Sequence, residues 1–186
     1  MIEAARALFE EVGFQDTTVR MIAERAGLSP GGVFTTFDDK VAILCHILGE
    51  YREQLFDEIE ALTPRLDGTV RDRLHAVIRM AHAHEFPRLR LVIAYIGASY
   101  TWSRDLEEEH RRLHRRLSEV IGGIVRDGVA RGEIGADTDT SLLVEMLSSA
   151  YQRNYRTAHF AGFSEEALNA RMRRQIDLLF DGAAAR

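Results

Sequence analysis

Apolar residues recur at three- and four-residue spacing along almost the whole of this 186-residue chain, and no stretch alternates with the two-residue period of a half-buried strand. That pattern confines the chain to an all-α fold. Ile2, Ala5, Leu8, Phe9 and Val12 line one face of a first helix, which Gly13 can end in the left-handed conformation. Thr17 is expected to cap a short second helix that turns Val19, Ile22 and Ala23 inward, and Gly27 breaks it. Ser29 and Pro30 open a third helix, serine as the cap and proline in the first turn. Asp39 caps a long fourth helix that runs to about Leu62, where Thr63 and Pro64 stop it. Further helices are expected near 69–84, 88–100, 104–131, 138–159 and 164–182, the last capped by Ser164.

The chain is long enough for a small domain attached to a larger one. We therefore expect three short helices in residues 1–46, then a helical body in residues 47–186 that the fourth helix enters. The first three helices are too small to bury a sizeable core alone, so the fourth should pack against both parts. The longest strongly apolar run, Leu89 to Trp102, contains Arg90 and is too short to span a bilayer. With one cysteine, no disulfide framework and no basic-then-apolar leader, a cytoplasmic location away from membranes is expected.

Two short helices joined through a glycine-containing turn make a helix-turn-helix. Its second helix must lie in the major groove with its amino end near phosphates. Here that helix begins Ser29-Pro30-Gly31-Gly32. Each glycine inside a helix costs about 1 kcal/mol relative to alanine, so two together call for a reason, and close backbone approach to another molecule supplies one. Thr35 and Thr36 follow, with hydroxyls and methyls that suit base edges. Charge argues the other way. The net charge is −5, and from Met1 to Lys40 the bases Arg6, Arg20, Arg25 and Lys40 are outnumbered by Glu3, Glu10, Glu11, Asp16, Glu24, Asp38 and Asp39. DNA-binding proteins take much of their affinity from lysine and arginine on phosphates.

Residues 2–48 resemble the DNA-binding region of the tetracycline-repressor (TetR-type) family. The matching pieces are Ala4 to Phe9, Gly13-Phe14, Thr17 to Arg20, Ile22 to Ser29, and Gly31, Phe37 and Lys40. The resemblance implies a transcriptional regulator, a repressor that a small-molecule effector releases from a double-stranded DNA operator. It places Thr18, Gly32, Phe34 and Lys40 near backbone phosphates, and Arg20, Thr35 and Thr36 toward the groove, with Ser29 and Gly31 at the helix start. Gly32 stands where a serine or threonine is common and Phe34 where a tyrosine is common, so two phosphate donors are missing. Weak electrostatics and low non-specific affinity are expected.

The segment Leu89 to Ile96 is apolar on nearly every side and should be a buried central helix. The resemblance puts a ligand pocket around it, with Tyr51, Met80, His84, Tyr95, Trp102, His114, Met146 and Tyr151 as lining candidates. Ordinary core packing is the competing account of each. His110 and His114 share a helix face, but Arg111, Arg112, Arg115 and Arg116 oppose a cation there, so a solvated face is expected. His82 and His84 point apart. Cys45 sits among Ile43, Leu44 and Ile47 and is expected to be a buried, inert thiol. No metal, cofactor or catalytic set is expected. The last two helices carry stripes at Leu142, Leu143, Met146, Leu147 and Ala150, and at Leu168, Met172, Ile176, Leu179 and Phe180. The resemblance makes these a homodimer interface. Two other classes stay open: a dimeric scaffold with a degenerate DNA-binding motif, and a small helical enzyme, for which no nucleophile–base spacing or phosphate loop is present.

Overall fold

The computed structural model describes residues 1–182, so the last four positions of the expected 47–186 unit lie outside the described residues. Among these, the regular elements are helical: α1 (Ile2–Glu11), α2 (Val19–Ala26), α3 (Pro30–Phe34), α4 (Lys40–Leu62), α5 (Val70–Glu85), α6 (Leu89–Ala98), α7 (Arg104–Ala130), α8 (Thr140–Ala161) and α9 (Glu165–Asp181), with single 3₁₀ turns at 63–65, 86–88 and 99–101. None is long and apolar enough to cross a membrane.

The boundaries follow local chemistry. Ser29, Asp39 and Ser164 each accept a hydrogen bond from the backbone amide three residues on, and Thr69 with Asp72 closes a reciprocal capping box on α5. Gly27 ends α2 at φ +68°, where a side chain would be strained. One expected cap is displaced by a residue. Thr18 caps α2 through Met21 N, while Thr17 is fully buried and donates its hydroxyl to the Gly13 carbonyl at 2.7 Å.

Two apolar clusters divide the molecule. The first holds Leu8, Phe9, Ile22 and Val33 of the three short helices and Phe14 of the α1–α2 turn with Ile43, Leu44, Ile47 and Leu48 of α4. The second holds Leu55, Phe56 and Ile59 of α4 with the inner faces of α5, α7, α8 and α9. The fourth helix thus serves both cores. Burial of Leu91 and Tyr95 in the first cluster adds α6 to the head, a join that periodicity did not anticipate. At the far end, α5 and α7 touch through Gly128. A Cβ there would lie 2.9 Å from Ile134 Cδ1 and 3.0 Å from Val70 Cγ2.

Candidate functional site

The helix-turn-helix presents Thr18, Arg20, Ser29, Gly31, Phe34, Thr35 and Thr36 to solvent, with Gly32 half-buried. The regular part of α3 ends at Phe34, so Thr35 is its C-cap and Thr36 lies just beyond, rather than a turn inside the helix. Phe34 is 53% exposed, unusual for an aromatic ring with nothing over it. Thr35 donates to the Gly32 carbonyl at 2.7 Å, whereas the Thr36 hydroxyl has no protein partner among the described residues.

The cations of this region are committed within the protein. Arg20 Nε meets Glu24 at 2.9 Å, Arg25 grips Glu11 with both terminal nitrogens, and Arg6 reaches Glu50 at 3.4 Å. Lys40, expected near a backbone phosphate, is engaged inside the protein. Its ammonium donates to the carbonyls of Phe14, Gln15 and Thr17 at 2.8, 2.8 and 3.0 Å, and sits 4.7 Å from the centre of the Phe14 ring. An ammonium has three donors; here all three tie the α1–α2 turn to the start of α4, and none is left for a phosphate in this conformation.

In the body, α4, α5, α6, α7 and α8 enclose a chamber of about 220 Å³. Of the eight lining candidates, Tyr95, His114 and Tyr151 line it. Tyr51, Met80, His84 and Met146 do not, and the reason is common to them. Their successors Arg52, Ala81, Glu85 and Leu147 line it instead, because each step along a helix turns the side chain by about 100°. Tyr51 is held between the guanidinium groups of Arg6 and Arg88, Met80 packs at the edge of the second cluster, and Met146 is 46% exposed on the outer face of α8. Trp102 stands behind the wall, its ring 4.8 Å from that of Tyr95 and 5.0 Å from His110. His110 and His114 are lining residues, not a solvated face: α7 turns them inward, while Arg112 and Arg116 point out to Glu53, Asp57 and Glu60 of α4 and Arg111 pairs with Glu107 of its own helix.

At one end of the chamber lies a buried polar network. Arg52 Nε donates to Glu85 Oε1 at 2.9 Å, and Tyr151 donates to Glu85 Oε2 at 2.6 Å, with Tyr155 hydrogen-bonded to Tyr151 at 2.8 Å. The Arg52 guanidinium lies 4.4 Å from the Tyr95 ring centre, and the Tyr95 hydroxyl bonds His110 Nδ1 at 2.9 Å. Burial works to raise the Glu85 pKa, but Arg52 and the tyrosine hydrogen bonds outweigh it and hold the carboxyl below its usual range. Burial, then the nearby Arg52 charge, pushes His110 down to about 4 and lowers His114. The thiol of Cys45 is pushed up to about 12 by burial, in keeping with an inert side chain. Arg52 and Glu85 were legible in one respect: each puts a charge into an otherwise apolar stripe, Leu48-Arg52-Leu55-Ile59 on α4 and Ile78-Ala81-Glu85 on α5.

A helix-turn-helix head joined through shared helices to an all-helical body with an internal chamber defines a DNA-binding transcriptional regulator. Residues 1–47 match the family of bacterial regulatory proteins of the tetR type, and residues 64–165 match a tetracyclin repressor-like C-terminal domain. The chain belongs to this tetR family. It is 27% identical over 149 residues to the transcriptional repressor KstR2 of Rhodococcus jostii, spanning 79% of this chain and 72% of that one. It is also 23% identical over 154 residues to the fatty acid metabolism regulator protein of Bacillus subtilis, spanning 79% and 75%. Its fold matches the transcriptional regulator FadR from Bacillus subtilis, solved in complex with stearoyl-CoA, at TM-score 0.78 and 22% identity over 98% of this chain and 97% of that one.

Proposed function

We propose that this regulator is a repressor that holds an operator as a homodimer and lets go when a small molecule fills the chamber. The observation that supports this most directly is the double membership of Tyr95, which lines the chamber and is buried in the apolar cluster of the DNA-binding head. A ligand pressing on Tyr95 and Arg52 acts on α6 and α4 together; both pack against α1 and share the apolar cluster of the short helices. Its leverage is its differential affinity for the two arrangements of the head. A transcriptional repressor among the relatives, and stearoyl-CoA bound to a structural neighbour, support the same reading.

In this reading the functional units are residues 1–46 and 47–186, although their border falls inside α4. Thr18, Arg20, Ser29, Gly31, Gly32, Phe34, Thr35 and Thr36 meet DNA, with Thr36 the side chain that meets a base edge. The subunits pair through α8 and α9. Supporting this, residues 142, 146, 149, 153, 156 and 160 of α8 are exposed along one stripe, and it carries Leu142, Met146 and Phe160. Leu147, Leu168, Met172 and Ile176 from the expected stripes are buried within the subunit instead. A two-fold dimer sets its recognition helices about 34–36 Å apart, or a multiple of that.

The test is selection of bound fragments from genomic DNA at low salt, followed by titration of the selected operator with and without effector. Effector and operator should weaken each other by the same factor. Unequal factors, or a monomer in sedimentation at operator-binding concentrations, overturn the reading.

A further inference from the structure

The chamber is polar at one end and apolar at the other, and every long wall helix agrees on which end is which. Along α4 the lining passes from Arg52 to Phe56, and along α7 from His110 and His114 to Leu117 and Ile121. Along α5 it passes from Ile78 to Glu85, and along α8 from Leu147 to Tyr151 and Tyr155. Contacts between the polar residues bring these ends together: Arg52 with Glu85, Glu85 with Tyr151, and Arg52 over Tyr95. Four helices contribute one gradient, which is the shape of a site for an amphiphile.

The charges at the polar end are already matched. Arg52 and Glu85 are 14% and 7% exposed and face each other. Both Glu85 oxygens are engaged, and the Tyr95 and His110 side chains satisfy one another. A charged ligand group would have to leave water without an unmatched opposite charge to receive it, and burying an ion that way costs far more than burying a neutral polar group. Apart from the terminal N–H groups of Arg52, whose charge Glu85 already matches, the open hydrogen-bonding capacity is uncharged: the Ser148 hydroxyl and the Gln152 amide line the chamber and have no protein hydrogen-bond partner among the described residues. His114 joins them as a neutral ring, since burial and Arg52 lower its pKa. The volume of about 220 Å³ exceeds the ~150 Å³ cavities that take up benzene and falls short of the ~300 Å³ at which drug-sized sites begin.

We infer that the group a ligand buries here is uncharged, an apolar body of on the order of ten non-hydrogen atoms ending in a hydroxyl, carbonyl or amide beside His114, Ser148 and Gln152. The inference rests on the proposal that this chamber is the effector site. It concerns the part of the ligand that enters the wall network, whatever that part is attached to.

The experiment compares octan-1-ol, octanoate and octylammonium on the full chain near neutral pH. Trp102, the single tryptophan, packs edge-on against Tyr95 and His110 behind the chamber wall and reports occupancy by its fluorescence. Octan-1-ol should bind saturably, and at least about tenfold more tightly than either ion. Octanoate or octylammonium binding as tightly as the alcohol overturns the inference while leaving the chamber an effector site. No saturable response to any of the three removes the chamber reading itself. In Glu85→Gln the Arg52 charge loses its partner, and preference should invert to octanoate by about tenfold; an unchanged preference overturns the inference. Should that variant not fold, Arg52→Gln with Glu85→Gln keeps the end neutral and must retain the alcohol preference, and a switch to octanoate there overturns it equally.

Discussion

Arg52 and Glu85 lie 33 residues apart and meet at 2.9 Å in the interior, where α4 and α5 cross the polar end of the chamber. Neither charge is tolerable there alone. The pair lets two core helices keep a hydrogen-bonding surface inside an otherwise apolar body.

Removing one partner should therefore be worse than removing both. Glu85→Gln is expected to cost about 3–5 kcal/mol by leaving Arg52 buried and unopposed. Replacing the pair together, Arg52→Met with Glu85→Leu, should recover most of that loss. Urea unfolding of the single and double variants measures both numbers. A double variant as unstable as the single one contradicts the account.

Lys40 is assigned to the fold by its three carbonyls. Lys40→Met should lower unfolding free energy by about 1–3 kcal/mol, because a charged donor is lost and the acceptors it served are left partly buried. Thermal unfolding of the free protein is the check. Unchanged stability with weakened operator binding would return Lys40 to a phosphate.

The committed cations predict a shallow salt dependence. Each phosphate contact contributes about one unit to the log–log slope, and a phosphate-rich repressor reaches about −10. The proposed dimer should stay shallower than about −5. Glu24→Gln releases Arg20, which now spends its guanidinium on that carboxylate. Operator and non-operator DNA should then both bind more tightly, with a steeper slope. Anisotropy titrations across a salt series decide it.

The chamber histidines make the protein acid-labile in a defined window. His110 is held neutral down to about 4, while the unfolded ring takes a proton near pH 6.5. Between those values the unfolded state binds more protons, so stability is complete above pH 6.5 and declines as pH falls toward 4. Glu85, whose folded pKa is depressed, keeps its contribution down to the unfolded carboxyl range near 4.5 and loses it progressively as pH falls further. Melting temperature against pH should show the decline in the native chain, and a flatter profile in His110→Gln.

Close packing against Val70 and Ile134 accounts for the glycine at position 128, in the last turn of α7. Gly128→Ala places a methyl against Val70 and Ile134 at overlap distance, and should cost about 1–3 kcal/mol by overpacking. Calorimetry of the variant measures it, with Gly123→Ala, whose added Cβ has open space apart from the tip of Arg126, as the tolerated control.

The helices, most of their caps and the helix-turn-helix were determined by the sequence alone, because three- and four-residue periodicity, capping hydroxyls and glycine stops act over a few neighbouring residues; at α2 the neighbouring threonines were not told apart, and Thr18 rather than Thr17 is the cap. Ser29, Asp39 and Ser164 cap as read, and α4 ends at Leu62 as read. What faces the chamber was decided only when the helices packed. A rotation of one residue about each axis, far below what periodicity resolves, separates Tyr51 from Arg52, His84 from Glu85 and Met146 from Leu147. The commitments of Lys40 to three carbonyls and of Arg52 to Glu85 likewise needed the tertiary structure, since they join residues more than twenty positions apart, and a sequence read locally holds no distance between them.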